Sequence, residues 1–168
     1  MYKYSVLRCV TINTKSTMEK KAVEAYNKYL NKEVYPLIGD KTTYLTQVHG
    51  AGKKLLGVKF KGVFPSDKIP KLNDLSPYCV LNLDKSSEPG SHWIALAKTK
   101  GNNEMMVYDS FGRHYKKIIP LLDQSGNGRI LNSDLDSEQP LKATDCGARC
   151  IAWLMVYDKL GPTYAKTI

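Results

Sequence analysis

The chain has 168 residues, 42% of them hydrophobic and 24% charged, with no compositionally biased tract. That is enough for one compact domain and argues against a disordered or fibrous protein. No apolar run approaches the roughly 18 residues of a membrane span, and the N-terminal residues lack a signal-peptide core. The expectation is therefore a soluble, non-secreted protein used inside a cell. Twenty-five Lys and Arg stand against sixteen Asp and Glu, a net charge of +9. That surplus suits a polyanionic partner or surrounding such as nucleic acid, and equally a surface made soluble by basic residues. The lysines are spread out, and no aromatic-interleaved nucleic-acid motif accompanies them.

In chain order, residues 2–12 alternate loosely and predict an edge strand. Thr17 to Tyr35 has helical periodicity, with Met18, Ala22, Ala25, Tyr26, Tyr29 and Leu30 on one stripe and Pro36 helping to stop it. A second, weaker helical stretch runs from Thr43 to Leu56, interrupted by Gly50 and Gly52. Residues 57–77 contain three prolines and read as a loop wrapped on a core. Tyr78–Leu83 is a short apolar run suited to an interior strand. A turn at Ser87–Gly90 follows, then strands at His92–Ala97 and Met105–Ser110. Residues 113–122 predict a helix. The polar stretch 123–145 predicts a loop with a short strand near Arg129–Leu131. Cys146–Leu160 predicts a strongly apolar helix ended by Gly161-Pro162. No internal repeat or second domain is evident.

Four cysteines, Cys9, Cys79, Cys146 and Cys150, could form two disulfides, but a chain of this size without a secretory signal favours free thiols. Cys146 and Cys150 lie four apart with no second Cys or His pair at finger-like distance, so no metal site is expected.

The chemistry centres on the two strands after residue 90. A hairpin centred on Lys100-Gly101 pairs residues whose numbers sum to 201. Leu96 then faces Met105, Ile94 faces Val107, and His92 faces Asp109. Facing side chains on a sheet lie ~4.5–5.5 Å apart at Cβ, close enough for an Nδ1–H to carboxylate bond. A carboxylate that holds a histidine fixes its tautomer and stabilises the imidazolium, as a base serving a nucleophile requires. The candidate nucleophile is Cys146, where a polar loop meets an apolar helix whose N-terminal amides and dipole favour thiolate. Gly147 would let a substrate carbonyl approach the backbone. Gln139, with the Cys146 N–H, could stabilise an oxyanion.

Each residue also has a purely structural reading. His92 could be a satisfied core histidine beside Trp93, and Asp109 an Asx-turn residue closing its strand. Cys146 could be an inert buried thiol like Cys150, and Gln139 a solvated loop residue. These readings must hold independently at four places, whereas one mechanism accounts for all four.

Gly90-Ser91-His92-Trp93, Tyr108-Asp109-Ser110-Phe111-Gly112, Gln139 and Asp145-Cys146-Gly147 together resemble the adenain-like cysteine proteases. These are the adenovirus maturation proteases and their relatives in other large DNA viruses, virophages and transposons, related in fold to SUMO-processing proteases. The order His, acid, Gln, Cys is the family's, as are the spacings of 17 residues from His92 to Asp109 and seven from Gln139 to Cys146. The segment KLLGVKFKGVFPSDKIP also resembles the one preceding the family histidine. The resemblance implies an α+β papain-like fold, with a small, mostly antiparallel sheet packed on the helix led by Cys146. Residues 1–40 would be an N-terminal extension and 41–168 the catalytic core of a single domain.

The resemblance further implies peptide hydrolysis through a thioester. His92 would be general base and acid, Asp109 its orienting partner, Cys146 the nucleophile and Gln139 an oxyanion donor, with Trp93 lining a cleft for small residues. The implied substrates are viral or virus-like capsid and core precursors cut at glycine-containing sites, in the virion or the host cell. No cofactor is required for the chemistry. The charge is compatible with DNA as an activating cofactor, and a monomer is expected. No cysteine lies between Asp109 and Cys146, where the adenovirus type links its activating peptide, so covalent peptide activation is not expected. Two alternatives stay open: an isopeptidase for a ubiquitin-like modifier, and a basic nucleic-acid-binding or virion structural protein with a protease-like fold.

Overall fold

The computed structural model describes residues 17–168. The strand expected at 2–12, and Cys9 with it, lie outside the described residues. The protein is α+β: a five-stranded mixed sheet with helices against it. Helix α1 covers residues 17–29 and runs through a π-helical turn, Leu30–Val34, into α2, Tyr35–Ile38. Pro36 therefore does not end the helix. Its missing N–H is accommodated where the wider turn gives way to α2, and termination falls to Gly39, at φ 78°. Ala22, Tyr26, Leu30 and Val34 are buried, so the predicted stripe is the packing face, with Met18, Ala25 and Tyr29 at its half-buried edge.

Helix α3, Leu45–Leu56, is continuous through both glycines. Gly52 is needed there, because a Cβ would lie 2.2 Å from the Phe60 ring. Phe60 opens β1, Phe60–Pro65, in the stretch expected to be loop. The local pattern hides this strand: Gly62 sits at a register shift with φ 147°, and the partner is distant in sequence. β2 is Tyr78–Asn82, β3 Trp93–Lys98, β4 Glu104–Tyr108 and β5 Arg129–Asn132. The order is β1-β2-β3-β4-β5; β2/β3 and β3/β4 pair antiparallel, while the outer pairs β1/β2 and β4/β5 are parallel. The sheet is thus mixed rather than mostly antiparallel. The short helix α4, Tyr115–Ile118, and a 3-10 turn, Pro120–Gln124, replace the single helix expected at 113–122, with Pro120 starting the second piece.

The hairpin register also differs from expectation. Leu96 pairs with Val107 and Ala97 with Met106, so the numbers sum to 203. The turn takes four residues after Thr99, whose N–H bonds Glu104 O, with Gly101 at φ 74°. A two-residue shift preserves the faces, because side chains alternate with period two. Ile94, Leu96, Met105 and Val107 accordingly stay together against Leu72, Tyr115, Ile119 and Leu122. Trp93, Ala95, Ala97, Met106 and Tyr108 form the other face, against α1 and α5.

Helix α5, Cys146–Leu160, has the predicted bounds and is buried continuously from Ile151 to Tyr157. A helix apolar all round needs neighbours on every side. Here these are the sheet, α1 through α3, and the short α6, Pro162–Ala165, whose Ala165 carbonyl accepts from Trp153 Nε1. Trp153 stacks on Tyr108 at 5.2 Å, and the Tyr108 hydroxyl bonds that of Tyr26 at 2.9 Å. Residues 17–38 thus belong to the same core as the rest. Among the described residues no helix is long and apolar enough to cross a membrane.

Candidate active site

A cleft of about 750 Å³ opens where β3 begins and β4 ends, beside the first turn of α5. His92, Trp93, Gln139 and Cys146 all line it. His92 is the residue before β3, still tied to the ladder by Leu83 N–H to its carbonyl. Asp109 follows β4. The shifted register makes them diagonal rather than facing neighbours, yet the ring and the carboxylate meet: His92 Nε2 to Asp109 Oδ1 is 2.6 Å. The contact is through Nε2, not the expected Nδ1. In the neutral ring Nε2–H donates to the carboxylate, which leaves Nδ1 as the basic nitrogen.

Both partners are buried, which sharpens their interaction. Burial opposes the charge on His92, but the bond to Asp109 and the neighbouring Cys146 sulfur outweigh it and hold the imidazole above its ordinary pKa of 6.5. Burial likewise disfavours the Asp109 carboxylate. Its bonds to His92 and Arg113 prevail and keep it below the ordinary 3.8.

The support of this pair is richer than the sequence suggested. Arg113 Nε donates to Asp109 Oδ2 at 2.7 Å, and the Phe111 and Arg113 N–H groups donate to the same carboxylate. Phe111 stacks on His92 with centroids 5.0 Å apart, and the Arg113 guanidinium lies over its ring. The imidazole is therefore held at its edge by a carboxylate and on its face by an aromatic ring. Arg113 was discoverable as the basic residue four positions after the acid.

Gln139 is 3% exposed and fixed at both ends of its amide. Ser110 Oγ donates to its Oε1 at 2.5 Å, and its Nε2 donates to Ala143 O at 2.5 Å. One amide hydrogen is thereby committed to Ala143 O, and the second is not used by that bond. Ser110, directly after Asp109, also accepts the Gln139 main-chain N–H, so one strand end sets both the acid and the amide.

Cys146 begins α5, and the first intrahelical bond is Arg149 N–H to Asp145 O. The amides of 146–148 therefore have no acceptor within the helix. Asp145, 2% exposed, anchors this end: Tyr35 Oη donates to its Oδ2 at 2.5 Å and Arg149 Nε to its Oδ1 at 3.0 Å. Arg149 also donates to Glu138 O at 2.8 Å, joining the start of α5 to the Gln139 loop.

Gly147 does not line the cleft. Its open side faces Thr43 and Val48, where a Cβ would come within 2.3 Å of Thr43 Oγ1 and 2.7 Å of Val48 Cγ2. The missing side chain thus permits close packing of α5 on α3, in place of the substrate approach expected from sequence. Trp93 forms a cleft wall and donates from Nε1 to Thr43 O at 3.3 Å.

Cys79, Cys146 and Cys150 are free thiols, and burial pushes Cys79 and Cys150 well above the ordinary thiol pKa. No metal-binding group of His, Cys, Asp and Glu occurs among the described residues. The arrangement is a thiol at a helix N-terminus, an acid-held imidazole, and an anchored amide around one cleft. Such a set can attack an electrophilic carbonyl, move a proton and stabilise an oxyanion. No protein-family model matches this chain, and no curated protein matches it significantly.

Proposed function

We propose that the protein is a cysteine endopeptidase of adenain-like, papain-like architecture that cleaves capsid or core precursors of a virus or virus-like element at glycine-containing sites. The observation that carries this reading is the buried His92–Asp109 bond of 2.6 Å, opening on the cleft that Cys146 and Gln139 also line. An isolated core histidine has no need of an acid braced by Arg113 and two main-chain amides, nor of a thiol at the next helix mouth.

In this mechanism His92 Nδ1 takes the Cys146 proton, and the sulfur attacks the scissile carbonyl carbon. The oxyanion is met by the Cys146 N–H and the second Gln139 amide hydrogen. Collapse breaks the C–N bond as the imidazolium protonates the leaving amine. Water, deprotonated by His92, then hydrolyses the thioester and restores the thiol. Asp109 stabilises the imidazolium in both halves, and its bonds to Arg113 keep it ionised.

The test is incubation of candidate coat-protein precursors with the protein and with Cys146→Ala, with cut sites read by mass spectrometry. Cleavage after glycine that requires Cys146 and is lost in His92→Ala supports the reading. An intact precursor, beside efficient cleavage of a ubiquitin-like fusion, would reassign the same machinery to modifier processing. An unreactive Cys146 with tight, salt-sensitive DNA binding would sink the enzyme reading.

A further inference from the structure

Arg149 lies in the first turn of α5, and the mechanism above gives it no part. Its side chain is 12% exposed and bridges two segments that each carry a residue of that mechanism. Nε donates to Asp145 Oδ1 at 3.0 Å, one residue before Cys146, and Nη1 donates to Glu138 O at 2.8 Å, one residue before Gln139. The carbonyl of the peptide unit joining Glu138 to Gln139 is thus held by α5. The N–H of the same unit donates to the Ser110 carbonyl at 3.0 Å. Both polar groups of the main chain entering Gln139 are therefore committed, one to the helix of Cys146 and one to the chain leaving β4 after Asp109. A partner for Asp145 alone needs only a positive charge, whereas spanning two acceptors uses the planar fork of arginine.

We propose that Arg149 is a positioning residue: by tying the Glu138 carbonyl to the first turn of α5 it fixes the Gln139 amide relative to Cys146 and so assembles the oxyanion hole. This deepens the peptidase reading and rests on it. An oxyanion donor works only within about 2.7–3.1 Å of the oxygen on which charge develops. The Cys146 sulfur bonds the carbonyl carbon, so α5 decides where that oxygen comes to rest. The donor must accordingly be registered against α5. Ser110 ties the Gln139 amide to the end of β4 and Ala143 ties it to its own loop, and Arg149 supplies the link to α5.

The full chain is compared with Arg149→Lys, Arg149→Gln, Gln139→Ala and the double variant Gln139→Ala/Arg149→Lys. Hydrolysis of acetyl-Gly-Gly-aminomethylcoumarin gives kcat and KM, and alkylation of Cys146 by iodoacetamide, which forms no oxyanion, reads the thiolate. Lysine keeps the charge beside Asp145 without spanning both acceptors, and glutamine keeps a neutral donor. Each should lower kcat about ten- to hundredfold, part of the roughly hundred- to thousandfold that deleting an oxyanion donor costs, with KM and alkylation within about twofold. In the Gln139→Ala background Arg149→Lys should cost less than about twofold more, because Arg149 acts through that amide. An unchanged kcat in both single Arg149 variants overturns the proposal. Alkylation slowed as much as hydrolysis overturns it too, because Arg149 would then hold Cys146 itself, and so do losses that multiply in the double variant. These outcomes leave the peptidase reading standing. A wild-type protein that hydrolyses the peptide no faster than Cys146→Ala refutes the peptidase reading and this proposal with it.

Discussion

Alanine at position 147 tests how α5 is seated. Two effects oppose each other. Within a helix alanine is favoured over glycine by up to about 1 kcal/mol. Against this, the new methyl would stand 2.3 Å from Thr43 Oγ1, 2.7 Å from Val48 Cγ2 and 3.2 Å from Thr43 Cβ. Neither neighbour retreats freely: Thr43 and Val48 are buried, and the Thr43 carbonyl holds Trp93. Overpacking of this kind costs about 1–3 kcal/mol. Two of these contacts lie under 3.0 Å, which puts the cost in the upper half of that range, so sterics win by about 1–2 kcal/mol, a fall in melting temperature of about 2–8 °C for a chain of this length. Urea denaturation should give a lower midpoint at an unchanged slope. Thr43→Ala in the same chain removes the closest contact and leaves Val48, so the double variant should recover part of the loss, with a coupling of about 0.5 kcal/mol or more. A Gly147→Ala protein as stable as wild type would show that α5 is not packed on Thr43 as described.

Three further outcomes are expected. Asp109→Asn removes the leading interaction that raises His92, so its titration, followed by imidazole NMR, should move down; an unmoved midpoint contradicts the bond as its cause. Because His92 is raised in the fold, its contribution to stability is complete below pH 6.5 and disappears as pH climbs through the folded value. Glu138 Oε2 has no hydrogen-bond partner among the described residues, and desolvation pushes the carboxyl up to about 7 from 4.5, so the folded state binds the extra proton and stability falls as pH rises across that window. Glu138→Gln should flatten that part of the pH–stability curve measured by thermal melts, and an unaltered slope rules Glu138 out as its origin. Tyr35→Phe deletes the bond to Asp145 and should cost about 1–2 kcal/mol in urea, the value of a hydrogen bond to a charged acceptor. No change would mean that Arg149 alone anchors the start of α5.

Much of the architecture is legible in local pattern. The α5 bounds follow from fifteen residues of helix-forming, largely apolar sequence stopped by Gly161-Pro162. The α1 packing face follows from its 3.6-residue repeat. The strands β2 to β4 follow from short apolar runs between turn residues, β5 from a brief extended stretch near Arg129–Leu131 within a polar segment, and β1 escapes because a glycine shift and a proline break its pattern. His92, Asp109, Gln139 and Cys146 are legible as chemistry because their types and order suit one reaction. Their supports are not: Arg113 is four residues from its partner, but Tyr35 is 110 residues from Asp145 and Thr43 sits in a connecting loop.

The sequence by itself determined most of the helical and extended segments, β1 and the break at Ile119 excepted, which faces of those segments turn inward, and which side chains are of a type suited to acid, base or nucleophile chemistry. These are properties of a residue and its near neighbours: periodicity, capping and ionisation. Tertiary structure alone decided the two-residue hairpin shift, the Nε2 rather than Nδ1 contact, and the use of Gly147 for packing instead of substrate approach. Each depends on distances between segments far apart in the chain, and those are set by how the turns close and how side-chain volumes fill the core together.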